Sequence, residues 1–234
     1  MNILLINPPI RLRHPPYFHP IGLASVAAAL RNAGHQVHIW DINVERENTS
    51  SPIGDFGMIG ISGLITTFGY VRKLVPALRH IYPNTPIVLG GGGFTSAPEV
   101  YMETIQPDYG IVGEGERAAV ELVNGQCDET RDRIIVGKPE RNLDAYPPPA
   151  FDLLDMDAYL KVVKYAKRAD REAAFLATRG CPFSCNYCYH IFGQGVRYRS
   201  MERVLAEMEL LKDHYGAGAL LIADECFTAR KDFV

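Results

Sequence analysis

Three cysteines stand close together in this chain, in the pattern Cys181-x-x-x-Cys185-x-x-Cys188. As thiolates they are soft ligands for zinc or for iron–sulfur clusters. Their spacing lets one short loop wrap three sulfurs around one face of a metal centre. A structural zinc takes four protein ligands, so a zinc site here needs His190 or Cys226 to complete it. An iron–sulfur cubane is held by Cys thiolates, and three of them leave one iron open to a substrate or cofactor. An open 4Fe–4S cluster on Cys181, Cys185 and Cys188 is the favoured reading. The zinc site and three coincidental buried thiols are the alternatives.

The rest of the composition narrows the setting. The chain has 234 residues, 47% of them hydrophobic, and a net charge of −3. That length suits one large or two small globular domains. The charge gives no basic footprint for a polyanion, so no nucleic-acid partner is expected. No run of ~18 apolar residues is present, so no membrane span is expected. The start, MNILLINPP, has neither a basic segment nor a small-residue cleavage site. Of five cysteines, three cluster within eight residues, unlike an evenly spread disulfide framework. A reducing, cytoplasmic location is the expectation.

Elements that could position the cysteines follow from the apolar runs and their breakers. Asn2–Asn7, Gln36–Asp41, Met58–Ser62, Pro86–Leu89 and Tyr109–Val112 read as buried strands. Between them, Ile21–Asn32, Tyr70–Ile81, Pro98–Thr104 and Glu116–Val123 read as helices, with Gly34 as a C-cap. The run Gly90–Gly93 reads as the stop after the fourth strand. Alternation of this kind predicts a flavodoxin-like, doubly wound parallel sheet. Its ligand belongs beyond the carboxyl ends of the strands. This places a domain over residues 1–125. Residues 126–168, with Pro147-Pro148-Pro149 and a short strand at Arg133–Gly137, read as a linker. Residues 169–234 open a second series: strand Ala173–Thr178, the cysteine loop, helix Ser200–His214 capped by Ser200, and strand Ala219–Ala223.

At Thr178-Arg179-Gly180-Cys181-Pro182-Phe183-Ser184-Cys185-Asn186-Tyr187-Cys188 the chain resembles the radical S-adenosylmethionine superfamily. The resemblance implies a βα barrel that begins near Ala173, with the cluster on the three cysteines. It implies that S-adenosylmethionine chelates the open iron and that Tyr187 lies near the adenine. Asp224 and Glu225 end the second strand, where that family places a polar group for the methionyl amine. The superfamily's usual Gly-Gly-Glu is absent. A complete barrel of this kind needs ~200 residues, so the barrel is expected to be incomplete within this sequence.

The first domain resembles cobalamin-binding domains through Ser62-x-Leu64 and Gly90-Gly91, with Gly92, Thr95 and Glu114 in order behind them. In that family such residues make room for the nucleotide tail of cobalamin, since glycines let a ligand approach the backbone. The loop Tyr17-Phe18-His19-Pro20-Ile21-Gly22 keeps His-x-x-Gly but lacks the aspartate that would orient the imidazole. His14 and His19 are therefore expected beside the corrin as loop residues rather than on the cobalt. Glu114 and Glu116 read equally well as first-turn acids of a helix.

Together the resemblances imply a cobalamin-dependent radical S-adenosylmethionine enzyme. The implied reaction is methyl transfer to an unactivated carbon or phosphorus by way of a 5′-deoxyadenosyl radical. Oxidative cyclisation in the same architecture, or a non-catalytic cobalamin-binding module, are the alternatives. The implied partners are a small-molecule or natural-product substrate and an electron donor such as flavodoxin or ferredoxin.

Overall fold

Strand β1 (Asn2–Asn7) is a six-residue apolar run, and Pro8-Pro9 ends it because proline cannot extend the ladder. The computed structural model describes residues 1–10, 18–45, 52–127 and 133–233. His14 and Tyr17 of the loop after β1 lie outside the described residues. The chain divides into two compact units: residues 1–16, 20–138 and 149–154 form the first, and residues 17–19, 139–148 and 155–234 the second.

In the first unit β1 is followed by α1 (Ile21–Asn32), β2 (Gln36–Asp41), α2 (Ile42–Glu45), β3 (Met58–Ser62) and α3 (Phe68–Ile81). Then come β4 (Ile87–Gly90), α4 (Gly91–Ser96), α5 (Pro98–Ile105), β5 (Tyr109–Gly113), α6 (Gly115–Val123) and β6 (Ile134–Gly137). The six strands are all parallel, in the order β2-β1-β3-β4-β5-β6. The direction of winding reverses between β1 and β3, which is the switch point of a doubly wound sheet.

The two-residue period of β1 builds both layers of the core. Ile3 and Leu5 face α1 and α6, packing with Leu23, Ala27, Leu30, Ala118 and Leu122. Leu4 and Ile6 face α3 and α5, packing with Val71, Val75, Leu78, Tyr101 and Ile105. Ile3, Leu4 and Ile6 are fully buried, and each such burial stabilises the fold by roughly 1.5–3 kcal/mol. Helix α1 stops where Gly34 takes a left-handed conformation, φ 88°. There the N–H of Gly34 donates to Arg31 O and that of His35 to Leu30 O, as in a glycine C-cap.

Two expectations for this unit are corrected. Ile134–Gly137 is no linker strand: it pairs in parallel with β5, Gly110 opposite Ile134, as the sixth strand of the sheet. The glycine run does not simply halt the chain after β4. Gly90 ends the strand, and Gly91–Ser96 turns at once into a short helix. Helix propensity is low there, so the helix rests on packing rather than on its sequence.

The second unit holds α7 (Met156–Leu160), β7 (Glu172–Phe175), β8 (Thr178–Arg179), β9 (Arg197–Tyr198), α8 (Met201–Glu209) and β10 (Ala219–Ile222). β7 and β10 pair in parallel, with Phe175 opposite Ile222, and α8 lies between them in the chain. That is one βαβ repeat of the kind from which βα barrels are built. Ser200 caps α8, its hydroxyl accepting from the N–H of Arg203. The helix does not run unbroken to His214: its last turn, Leu210–His214, widens to π geometry. Among the described residues no helix is long and apolar enough to cross a membrane.

Candidate functional site

At the carboxyl ends of β3, β4 and β5 the sheet brings together most of the residues expected around a cobalamin tail. The N–H of Gly63 donates to Gly90 O (3.2 Å), and the N–H of Gly93 donates to Gly63 O (2.9 Å). These bonds lock the loop that carries Ser62 and Leu64 onto the start of α4. A Cβ on Gly91 would sit 2.8 Å from Ser62 Oγ, and one on Gly93 2.7 Å from the Leu64 carbonyl carbon. Gly91 also holds φ 82°, which glycine alone adopts without strain. Part of the glycine run thus serves the chain's own packing: it lets the Ser62–Leu64 loop lie on the helix. At Gly90 a Cβ would meet nothing nearer than Ile111 O at 3.9 Å, so the open approach to backbone is there. Gly92 lies half-buried in α4 between the two crowded glycines.

Thr95 closes the same corner, its Oγ1 accepting from the N–H of Gly113 at 3.1 Å. Glu114 follows at the β5–α6 turn and is buried, 6% exposed, as is Glu116. Gly137 of β6 makes room for that turn, since a Cβ there would strike Glu114 O at 1.9 Å. Leu64 and Ile65 stand out into solvent, 47% and 59% exposed. Glycine strand ends beside exposed aliphatic side chains fit a ligand tail lying over the sheet edge. The sequence reading missed a buried polar pair at the same end: Asn7 Nδ2 donates to Asp41 Oδ1 at 2.8 Å, joining the ends of β1 and β2. Asn43 Oδ1 accepts from the N–H of Ile10 and so anchors the start of the loop after β1. Both asparagines directly follow or end an apolar run, the one signal that could have marked them.

His19 packs within the second unit, its ring edge-on to Tyr159 at 6.2 Å between centroids and hydrogen-bonded to the backbone of Ala174. Burial holds its pKa down at about 4, so the imidazole is neutral at neutral pH.

The cysteine loop is pinned at its base. β8 pairs antiparallel with β9, Thr178 opposite Tyr198 and Arg179 opposite Arg197. The next rung crosses backbone at close range, the N–H of Gly195 donating to Cys181 O at 3.0 Å. Gly180 (φ 92°) is required there, since a Cβ would sit 2.1 Å from Gly195 O. Beyond this base, Cys185 and Cys188 are exposed, in a turn closed by Cys188 N–H to Cys185 O at 3.1 Å, and Cys181 is half-buried. Phe183, Tyr187 and Tyr189 face solvent on the same loop, Tyr187 at 88%.

Among the described residues no three His, Cys, Asp or Glu side chains converge closely enough to hold a metal ion. The three sulfurs share a loop without being gathered around a point. The donor set nonetheless fits an iron–sulfur cluster: three thiols, two of them open to solvent, on one loop pinned at its base.

Asp224 and Glu225 act on that loop rather than standing open at a strand end. Asp224 Oδ1 accepts from the N–H of Ala177 (2.8 Å) and Oδ2 from Thr178 Oγ1 (2.7 Å). Burial still pushes its carboxyl pKa up, against those hydrogen bonds. Glu225 is hydrogen-bonded to the backbone of Ile191, and burial raises its pKa too, opposed by that bond and by His190 and Arg197. The two acids therefore hold the loop before its first cysteine and after its last. A further support is Arg199, whose Nη1 donates to Leu176 O (3.0 Å) and to Glu207 Oε2 (2.7 Å).

Residues 10–123 match the B12 binding domain family. An uncharacterized methyltransferase of Pyrococcus horikoshii is 30% identical over 99% of this chain and 55% of its own length. The anaerobic magnesium-protoporphyrin IX monomethyl ester cyclase of a Synechocystis species is 30% identical over 99% of this chain and 51% of its own. The chain thus spans about half the length of these curated relatives. Among solved structures, the radical S-adenosylmethionine methyltransferase TsrM of Kitasatospora setae superposes with a TM-score of 0.70 at 21% identity, over 97% of this chain and 48% of that one. At that identity the match speaks for the fold. Residues 10–123 thus carry a B12-binding domain match, and the chain is similar along its length to proteins named as a methyltransferase and as an anaerobic cyclase.

Proposed function

We propose that the first unit binds cobalamin and that the cysteine loop carries a 4Fe–4S cluster that takes S-adenosylmethionine, for methyl transfer to an unactivated carbon or phosphorus. The observation that carries the reading is the pairing of two sites in one chain. A Ser62–Leu64 loop is locked on the glycine run at the sheet's carboxyl edge, and Cys181, Cys185 and Cys188 lie on a loop held at both ends.

When bound, the cluster supplies one electron to cleave S-adenosylmethionine reductively, and cobalamin supplies a methyl carrier. The chain's own part is positional. Cys181, Cys185 and Cys188 would hold three irons. Asp224 and Glu225 would keep the loop in register, while Tyr187 offers an aromatic face beside it. Ser62, Leu64 and Gly90 would receive the cobalamin tail. Gly91, Gly92, Thr95 and Glu114 would shape that edge. A small-molecule substrate and a flavodoxin- or ferredoxin-like electron donor complete the proposed reaction.

Ring closure is the second reading, favoured by the identity to the Synechocystis cyclase, which equals that to the methyltransferase. Anaerobic reconstitution with iron, sulfide and hydroxocobalamin tests the proposal. Visible spectra should show both cofactors, and S-adenosylmethionine with a reductant should yield 5′-deoxyadenosine. A cluster retained in the triple Cys→Ala variant would refute the ligand assignment. Cobalamin binding without any cluster would leave a binding module instead of an enzyme.

A further inference from the structure

Helix α5 brings a polar group into the corner of β3, β4 and α4 that the described residues leave without a partner. Tyr101 is buried, 3% exposed, and its hydroxyl makes no hydrogen bond among them. The ring stands edge-on to both Phe68 and Phe94, at 4.9 and 5.8 Å between centroids, so packing holds it in place. Its hydroxyl reaches the junction of α4 with the Ser62–Leu64 loop. A Cβ on Gly93 would lie 2.5 Å from Tyr101 Oη, 2.7 Å from the Leu64 carbonyl carbon and 2.9 Å from Ile65 N.

The carbonyls of this corner already have donors. Leu64 O accepts from the N–H of Thr67 at 2.9 Å and from its Oγ1 at 2.8 Å. Gly63 O accepts from the N–H of Gly93 at 2.9 Å, and Gly93 O from Ser96 Oγ at 2.9 Å. Buried hydroxyls are as a rule hydrogen-bonded, and one left over in a closed core weakens the fold. Here the leftover donor lies directly beneath Leu64 and Ile65, the two aliphatic side chains that stand out into solvent.

We propose that Tyr101 is a further binding residue of the cobalamin site, its hydroxyl donating to an acceptor of the nucleotide tail, a phosphate oxygen or a base nitrogen. The proposal rests on the cobalamin reading above. The tail would reach Oη by parting the Leu64–Ile65 turn from α4. The hydroxyl then weakens the empty fold and strengthens the loaded one. A corrinoid without a tail gains nothing from it, so Tyr101 makes the site favour complete corrinoids over incomplete ones.

Tyr101→Phe in the whole chain tests this, because it keeps the ring and its packing and removes only the oxygen. Thermal unfolding without cobalamin should place the variant at or above the natural chain. A clear fall would mean that the hydroxyl has a partner in the empty protein, and would overturn the proposal. Titration with hydroxocobalamin, followed by its visible spectrum, should show Kd raised about tenfold in the variant. An unchanged Kd would overturn the proposal and leave the cobalamin reading standing. Cobinamide, which has the corrin ring but no nucleotide tail, should bind natural chain and variant alike. An equal loss for cobinamide would put the effect in the ring or the fold and overturn the proposal too. A natural chain that binds no hydroxocobalamin would sink the cobalamin reading, and the proposal with it.

Discussion

Thr178 Oγ1 donates to Asp224 Oδ2 at 2.7 Å across 46 residues of sequence, and the other oxygen of the same carboxylate takes the N–H of Ala177. One side chain thereby ties the end of β10 to the root of the cysteine loop. Asp224→Ala would strand the N–H of Ala177 and the hydroxyl of Thr178, a residue only 1% exposed, at a cost of about 1–3 kcal/mol. Thermal unfolding should show the loss, and limited proteolysis between residues 180 and 196 should accelerate. Unchanged melting and cleavage would mean that the loop is held by its glycines alone.

Arg199 and Glu207 form a buried ion pair, their side chains 14% and 1% exposed. Burial pushes the Glu207 pKa up, and Arg199 opposes that shift. Arg199→Leu removes the cation and leaves the carboxyl buried, so destabilisation of about 3–5 kcal/mol is expected. A raised pKa in the fold means that protonation favours the folded variant. Arg199→Leu should therefore be less destabilised at pH 5 than at pH 8. The double variant Arg199→Leu/Glu207→Leu should be more stable than Arg199→Leu. Denaturant titrations of the three proteins at both pH values would decide it, and a pH-independent deficit would speak against the charge as its cause.

His19 gives the opposite pH signature. Its pKa is lowered from 6.5 to about 4. Above pH 6.5 the ring is neutral folded or unfolded and adds nothing to pH dependence. As pH falls from 6.5 towards 4 the unfolded chain takes the proton first, so stability drops by up to about 3 kcal/mol. Subtracting the unfolding free energy of His19→Gln from that of the natural chain, pH by pH, should reveal this slope. A flat difference would show that the ring is not buried in solution.

Two glycines predict opposite outcomes for the same change. At Gly91 a methyl group meets Ser62 Oγ at 2.8 Å with φ at 82°, so Gly91→Ala should cost about 1–3 kcal/mol and weaken hydroxocobalamin binding. At Gly22, inside α1, a methyl group meets nothing within 4 Å. Gly22→Ala should stabilise the helix by about 0.5–1 kcal/mol. Calorimetry on both variants, with a cobalamin titration on Gly91→Ala, checks the pair.

Where apolar runs met strong breakers, the sequence located elements to the residue. Asn2–Asn7, bounded by Pro8-Pro9, and Ile21–Asn32, bounded by Gly34, are examples. Ile134–Gly137 was legible as a strand but its place in the sheet was not, because it is a four-residue edge strand with Val136 turned out to solvent, set among charged residues. The short helix after Gly90 escaped because its glycines carry the signature of a turn. At the sites, residue types were legible but pairings were not. Nothing in the sequence tells that Asp224 spends its oxygens on Ala177 and Thr178, because contacts across some 45 residues depend on strand register.

The placement of β6 bears on how the first unit comes into being on the ribosome. Its last strand ends at Gly137, and residues 149–154 return to it, the N–H of Ala150 donating to Ala24 O in α1. A nascent chain cut off after α6 has all of β1 to β5 but leaves the outer side of β5 without its partner, an open template for pairing with another chain. Native closure therefore waits until Leu154 has cleared the exit tunnel, late for a domain whose strand β1 begins at Asn2.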